Sequence, residues 1–258
     1  MGKAIVFILG SIIGSFLNVC IYRLPKGRSV IFPGSHCPNC TAKIHWYDNI
    51  PILSFLFLSG KARCCKAKIS FRYFIVEALT AAAFLILFIF FGSSAKFFAY
   101  AILVSGLIVA TFVDFEIQEI PDEVSIGGLV VGLVLSAAFP SVLNEGTRLN
   151  GFLSSFFGAL TGAAMIYAIG VLGEFAFKKK AMGGGDVKLL AMIGSFIGWK
   201  LTVLTFFIAP AFGAVVGIIL KIKDGKDTIP YGPYLSLAAI ISIFWGEKIL
   251  HFLSYGMF

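Results

Sequence analysis

Long apolar stretches separated by short polar ones make up most of the chain, with a single polar interruption of about 50 residues near the start. The stretches at about 4–22, 73–92, 97–113, 124–139, 151–177, 187–199, 201–220 and 231–254 have spanning or near-spanning length for a hydrocarbon core roughly 30 Å thick. This pattern predicts an all-α, polytopic membrane protein of about eight transmembrane helices with a Cys-containing loop domain after the first. The sixth stretch, about 13 residues, is short for that thickness, so it is expected to start deep in the bilayer or to enter from a loop. Asp186 directly precedes it. Composition agrees: hydrophobic residues are 59% of the 258, charged ones 13%, and the mean hydropathy is +0.95, which together exclude an ordinary soluble domain.

A formal net charge of +8 raises the question of nucleic acid, but the basic residues lie between spans rather than along one face, so no nucleic-acid partner is expected and lipid is. Arg23, Lys26, Arg28, Lys43, Lys61, Arg63, Lys66, Lys68 and Arg72 fall between spans one and two. Lys178, Lys179, Lys180 and Lys188 flank spans five and six, and Lys221, Lys223 and Lys226 precede span eight. The opposite side receives Lys3, Lys96, Arg148, Lys200 and Lys248. By the positive-inside rule the N-terminus is outside and the long first loop cytosolic. The opening run continues into Ile21, Tyr22, Arg23 and Pro25 with no small-residue cleavage site, so it reads as a retained helix rather than a signal peptide. The expected division is residues 1–22 as first helix, 23–72 as cytosolic loop domain and 73–258 as membrane core.

The loop holds four of the five cysteines: Cys37 and Cys40 in HCPNC, Cys64 and Cys65 in KARCCKAK. A loop this size buries little core, and a tetrahedral thiolate site would staple it without an oxidising compartment. Cys37 and Cys40 have the spacing of a zinc hairpin, whereas adjacent Cys64 and Cys65 are strained as a chelating pair. Two readings stand side by side: zinc held by Cys37, Cys40, Cys65 and a substitute such as Cys64 or His36, or packed and free thiols with no metal. His45 reads as an ordinary loop residue.

Two carboxylates sit where a membrane protein least easily carries them: Asp114, ending AYAILVSGLIVATFV, and Asp186, after the glycines of AMGGGDVKLLAMIGSF. An ionisable group at the edge of a span costs roughly 2.5 to 3.5 kcal/mol on insertion scales, so it needs a pairing or functional reason. Of the acids after Val113, Asp122 and Glu123 follow Pro121 and suit the start of a helix, and Glu116 and Glu119 read as solvated. Gly183, Gly184 and Gly185 let the backbone approach closely or take positive φ before Asp186. Lys188 either pairs with an acid or snorkels towards headgroups. Two carboxylates sharing one proton can activate a water and polarise a peptide carbonyl, the aspartic-protease arrangement; a proton-relay transporter is the rival from another class.

The motifs GSFLNVCIYRLP, CPNC followed by IHWYDNIPILSFLFLSGK, ISFRYFIVE, the Asp114 to Asp122 segment and GGGDVK together resemble bacterial type IV prepilin peptidases over nearly the whole chain. The resemblance implies an intramembrane aspartic endopeptidase of the bacterial inner membrane that removes the basic leader of prepilins and pseudopilins on the cytosolic side. It also implies methylation of the new N-terminus from S-adenosylmethionine; peptidase activity alone is the alternative. On this likeness Asp114 and Asp186 are catalytic, Gly183, Gly185, Lys188 and Asp122 supporting, and Asn18, Arg23 and Glu77 associated with methyl transfer. The basic leader is expected to pair with Asp48, Glu77 or the acids after Asp114. One departure stands out: the family's second CxxC falls on positions 62 and 65, and position 62 is Ala62, so either the zinc site is incomplete or the chain uses Cys64.

Overall fold

The computed structural model describes residues 2–178, 182–224 and 230–255. Lys179, Lys180 and Lys226, counted above among the loop charges, lie outside the described residues. The elements are α1 (Gly2–Arg23), α2 (Leu53–Phe57), α3 (Phe71–Phe91), α4 (Ala95–Ile117), α5 (Asp122–Ala138), α6 (Arg148–Phe177), α7 (Gly184–Asp224) and α8 (Gly232–Tyr255). No strand occurs among the described residues, only two isolated β-bridges in the Cys loop. The outward faces carry Ile8, Phe90, Val134, Leu160 and Phe207, the reverse of a water-soluble surface and what a lipid-facing one requires.

Where eight spans are expected, six helices among the described residues are long and apolar enough to cross a membrane. The difference has two sources. Helix α5 has 17 residues, the short end of the range of about 17 to 25 that crosses a hydrocarbon core. The sixth and seventh expected spans are the two limbs of α7, joined at Gly198, whose φ of 74° and ψ of 169° are non-helical. The pattern sees both limbs because both are apolar; only backbone geometry shows how they join.

The chain forms two compact units, residues 1–109 and 110–258, with α4 beginning in the first and ending in the second. In the first unit α1 packs on α3. A Cβ at Gly14 would lie 2.7 Å from the Glu77 Cα, so the two backbones touch as in small-residue membrane interfaces. In the second unit the first limb of α7 is buried continuously from Leu189 to Ile197, between α5 and α6. Gly158 and Gly194 leave room for each other's carbonyls, and the hydroxyls of Ser136 and Ser155 both donate to the Ser195 carbonyl, at 3.3 and 2.6 Å. A short segment crossing inside protein needs no match to lipid thickness, which explains its 13-residue apolar length.

Candidate active site

Asp114 lies near the end of α4, one residue beyond fully buried Val113, and is itself 5% exposed. The helix closes at Ile117, where Gln118 takes φ +55° and its N–H donates to the Asp114 carbonyl at 3.0 Å. The Asp114 carboxylate accepts the backbone N–H of Gly232, the first residue of α8, at 2.9 Å. The N-terminus of a 24-residue helix therefore meets this carboxylate, placing the positive end of the helix dipole on it. Glycine suits the approach, because a Cβ at 232 would sit 2.8 Å from the Asp114 Oδ2 and one of the two would have to shift.

Asp186 stands in the first turn of α7. Its Oδ2 accepts the Gly183 N–H at 3.3 Å while its own N–H donates to the Gly183 carbonyl at 3.2 Å, a reciprocal turn that orients the side chain. A Cβ at Gly185 would lie 3.2 Å from the Ile120 Cβ and one at Gly183 3.2 Å from the Asp186 Oδ2, so these two serve close approach; none of Gly183, Gly184 and Gly185 has positive φ. Asp186 interacts electrostatically with Asp114 and also with Tyr231. Tyr231 adds a phenol, able to donate a hydrogen bond, beside Asp186. Tyr231 and Gly232 escaped the sequence reasoning. Their signal was the Tyr-Gly-Pro-Tyr run opening the last span, readable as helix punctuation but not as contact with an acid over a hundred residues away.

The supporting residues separate into two groups. Gly183 and Gly185 adjoin Asp186. Lys188 bonds Asp122 at 2.6 Å, settling its two alternatives in favour of an ion pair, with both side chains largely exposed. Asp122 is the first residue of α5 and Pro121 takes the N-cap position, so Asp122 acts as a first-turn acid rather than the cap.

In the first unit the methyl-transfer candidates organise backbone. Arg23, buried, donates to the carbonyls of Ser29 at 3.0 Å, Pro33 at 2.7 Å and Gly34 at 3.5 Å. Asn18 donates to the Tyr73 carbonyl at 3.1 Å and the Gly14 carbonyl at 3.4 Å, while its Oδ1 is buried with no hydrogen-bond partner. Glu77 accepts the Ile52 N–H at 2.7 Å. Ile52 has φ +63° and ψ −53° with a Leu53 N–H to Pro51 carbonyl bond of 2.6 Å, a tight γ-turn that a β-branched residue takes only under strain. The buried carboxylate thus holds a strained turn in the NIP segment.

The Sγ atoms of Cys37, Cys40, Cys64 and Cys65 all lie within 4.8 Å of one another. Sulfur separations are 3.7 Å for Cys37 and Cys65, 3.2 Å for Cys40 and Cys64, and 3.9 Å for Cys64 and Cys65. Tetrahedral thiolates at about 2.3 Å from zinc stand about 3.8 Å apart, so the donor set fits such an ion. His36 turns its Nδ1 to the Gly34 carbonyl at 3.0 Å, so of the two substitutes it is Cys64 that joins the cluster. Hydrogen bonds from the Cys40 and Asn39 backbone lower the Cys37 thiol. The Ala67 backbone, followed by the Asn39 side chain, brings Cys65 down to about 6, while sharing with Cys40 pushes Cys64 up to about 12.

Comparison with known proteins converges on one family. The profile described as "Bacterial Peptidase A24 N-terminal domain" matches residues 8–91, and that of the "Type IV leader peptidase family" matches residues 101–218. A prepilin leader peptidase/N-methyltransferase of Pseudomonas aeruginosa is 32% identical, covering 94% of this chain and 90% of its own length. A type 4 prepilin-like proteins leader peptide-processing enzyme of Escherichia coli O78:H11 is 37% identical over 91% of each chain. A prepilin leader peptidase/N-methyltransferase of Myxococcus xanthus is 35% identical over 85% of this chain and 63% of its own. No solved structure gives a significant match.

Proposed function

The chain belongs to the type IV leader peptidase family, and from that premise we propose that it removes the leader of prepilins by aspartic chemistry at Asp114 and Asp186. One observation carries this reading: α4 and α7 bring the two carboxylates near enough to interact electrostatically, where the start of α8 bonds Asp114 through the Gly232 N–H. In this reading Asp114, which accepts the Gly232 N–H at the head of α8, is the member that holds the charge, and Asp186 carries the shared proton. The Asp114 carboxylate takes a proton from water, whose oxygen bonds to the scissile carbonyl carbon while Asp186 donates to the carbonyl oxygen. Collapse breaks the C–N bond as Asp114 passes its proton to the leaving amine and Asp186 takes back a hydroxyl proton, which restores the dyad with one proton. Tyr231 supplies a further neutral donor beside the dyad.

The basic leader is read by Glu116 and Glu119, both exposed beyond Asp114. The substrate's apolar segment lies alongside the helices, and the site faces the cytosol of the inner membrane, with the N-terminus outside, as the loop charges favour.

The same protein methylates the new N-terminus in this proposal. S-adenosylmethionine, when bound, supplies an electrophilic methyl group. Arg23, Asn18 and Glu77 shape the segment around it, and the orphaned Asn18 Oδ1 is an acceptor that a ligand amino group would satisfy. Zinc held by Cys37, Cys40, Cys64 and Cys65 staples this loop.

Intact mass of a prepilin co-expressed with wild type, Asp114→Ala, Asp186→Ala or Asp122→Ala tests the peptidase reading. Leader removal by wild type and Asp122→Ala, but by neither of the others, is expected. Cleavage by Asp114→Ala with loss in Asp122→Ala would move the dyad to Asp122, and cleavage by all four would end the aspartic reading.

A further inference from the structure

The two cysteine segments of the loop are built alike, at a constant offset of 25 residues from Cys40 to Cys65 and from Ile44 to Ile69. Each is closed by one β-bridge, His36 to Lys43 and Lys61 to Lys68. In the first, the Cys37 N–H donates to the Ala42 carbonyl at 2.8 Å and the Thr41 N–H to the Cys37 carbonyl at 2.9 Å. In the second, the Ala62 N–H donates to the Ala67 carbonyl at 2.8 Å and the Lys66 N–H to the Ala62 carbonyl at 2.9 Å. Thr41 and Lys66 share φ of 58°. This register pairs Cys37 with Ala62, Asn39 with Cys64 and Cys40 with Cys65.

The pseudo-symmetry extends to the side chains. The Asn39 Nδ2 lies 3.6 Å from the Cys65 Sγ, and its counterpart Cys64 places its Sγ 3.2 Å from the Cys40 Sγ. A residue at the 39/64 position therefore reaches across to the last cysteine of the opposite hairpin. In the first hairpin that residue is an amide, outside the thiolate set; in the second it is a thiol, inside it.

We infer that the loop is a duplicated knuckle in which Cys64, off register by two residues, replaces the thiolate missing at Ala62, so that one tetrahedral divalent ion of the zinc class is held by Cys37, Cys40 and the adjacent pair Cys64 and Cys65. The inference rests on reading this loop as a metal site and is independent of the peptidase assignment. A ligand can move from position 64 to 62 because the register makes 62 the counterpart of Cys37, two residues before Cys64 in the same hairpin.

The test is metal content and cobalt spectroscopy of the full-length protein in detergent, supplied with Zn²⁺ or Co²⁺. Wild type is expected to hold one ion per chain, with the intense charge-transfer and ligand-field bands of four-thiolate cobalt. Cys64→Ser is expected to lose the four-thiolate spectrum and to release zinc to a competing chelator with an affinity loss beyond the roughly 10- to 100-fold typical of an outer-shell partner. Adding Ala62→Cys to Cys64→Ser is expected to restore both. An unchanged spectrum and affinity in Cys64→Ser would overturn the inference, and so would failure of the double variant to recover them. Wild type without bound metal would overturn it together with the metal reading of the loop, while prepilin cleavage, assayed on the same preparation, reports separately on the peptidase reading.

Discussion

Replacing Gly232 by alanine tests whether the α8 N-terminus positions Asp114. The new Cβ would stand 2.8 Å from the Asp114 Oδ2 and 3.4 Å from the Ile120 Cδ1. Ordinary contact begins near 3.4 Å, so the carboxylate or the helix start must yield by about 0.6 Å, and the 2.9 Å bond from the Gly232 N–H moves with it. A misplacement of about 1 Å at a reacting group costs on the order of 100-fold in rate. Scaled to 0.6 Å, the expected loss is roughly 10- to 30-fold in kcat, or about 1.4 to 2 kcal/mol of barrier. On the proposed docking of the substrate's apolar segment along the helices, away from residue 232, KM should stay close to wild type. Unfolding is not the expected cause: alanine in place of glycine favours a helix by up to about 1 kcal/mol. The assay is cleavage of purified prepilin by enzyme in detergent, followed by mass spectrometry, with Gly184→Ala as companion, since nothing lies within 4 Å of a Cβ at 184. Wild-type kcat in Gly232→Ala, or an equal loss in Gly184→Ala, would refute the positioning argument.

Two further outcomes follow from the same geometry. Glu77→Ala leaves the Ile52 N–H without its acceptor beside a strained turn, so it should lower thermal stability by about 1 to 3 kcal/mol and abolish methylation while sparing leader removal; Glu77→Gln, which keeps an acceptor, should retain most of the stability. Intact mass of the processed pilin, together with melting in detergent, reads both. Lys188→Ala breaks an ion pair whose members are 43% and 58% exposed, so it should change stability by no more than about 1 kcal/mol and leave cleavage near wild type; a loss comparable to that of Asp186→Ala would place Lys188 in the chemistry.

Much of the architecture is legible in the chain because lipid imposes a simple rule: a backbone without water must satisfy its own hydrogen bonds, so a long apolar run is a helix. The runs ending at Asp114 and starting after Asp186 advertise their acids for the same reason, since a charge there is expensive. An apolar run can be shorter than a full crossing where protein rather than lipid is the neighbour. The segment after Asp186 is short because α5 and α6 enclose it. The acidic segment after Val113 separates by exposure: Asp114 is buried, whereas Asp122 sits at the surface paired with Lys188.

From the sequence alone come the membrane class, the helical segments, the two unusual aspartates, the cysteine count with its gap at Ala62, and the family likeness. Each is a local property of composition or spacing, and local properties survive in one dimension. Tertiary structure decided that the backbone N–H of Gly232 reaches Asp114 across 118 positions, that Glu77 holds the turn at Ile52, and that Cys64 rather than His36 completes the thiolate cluster. Those are contacts between groups far apart in the chain or reoriented by a hairpin, and their energies depend on distances that only packing sets.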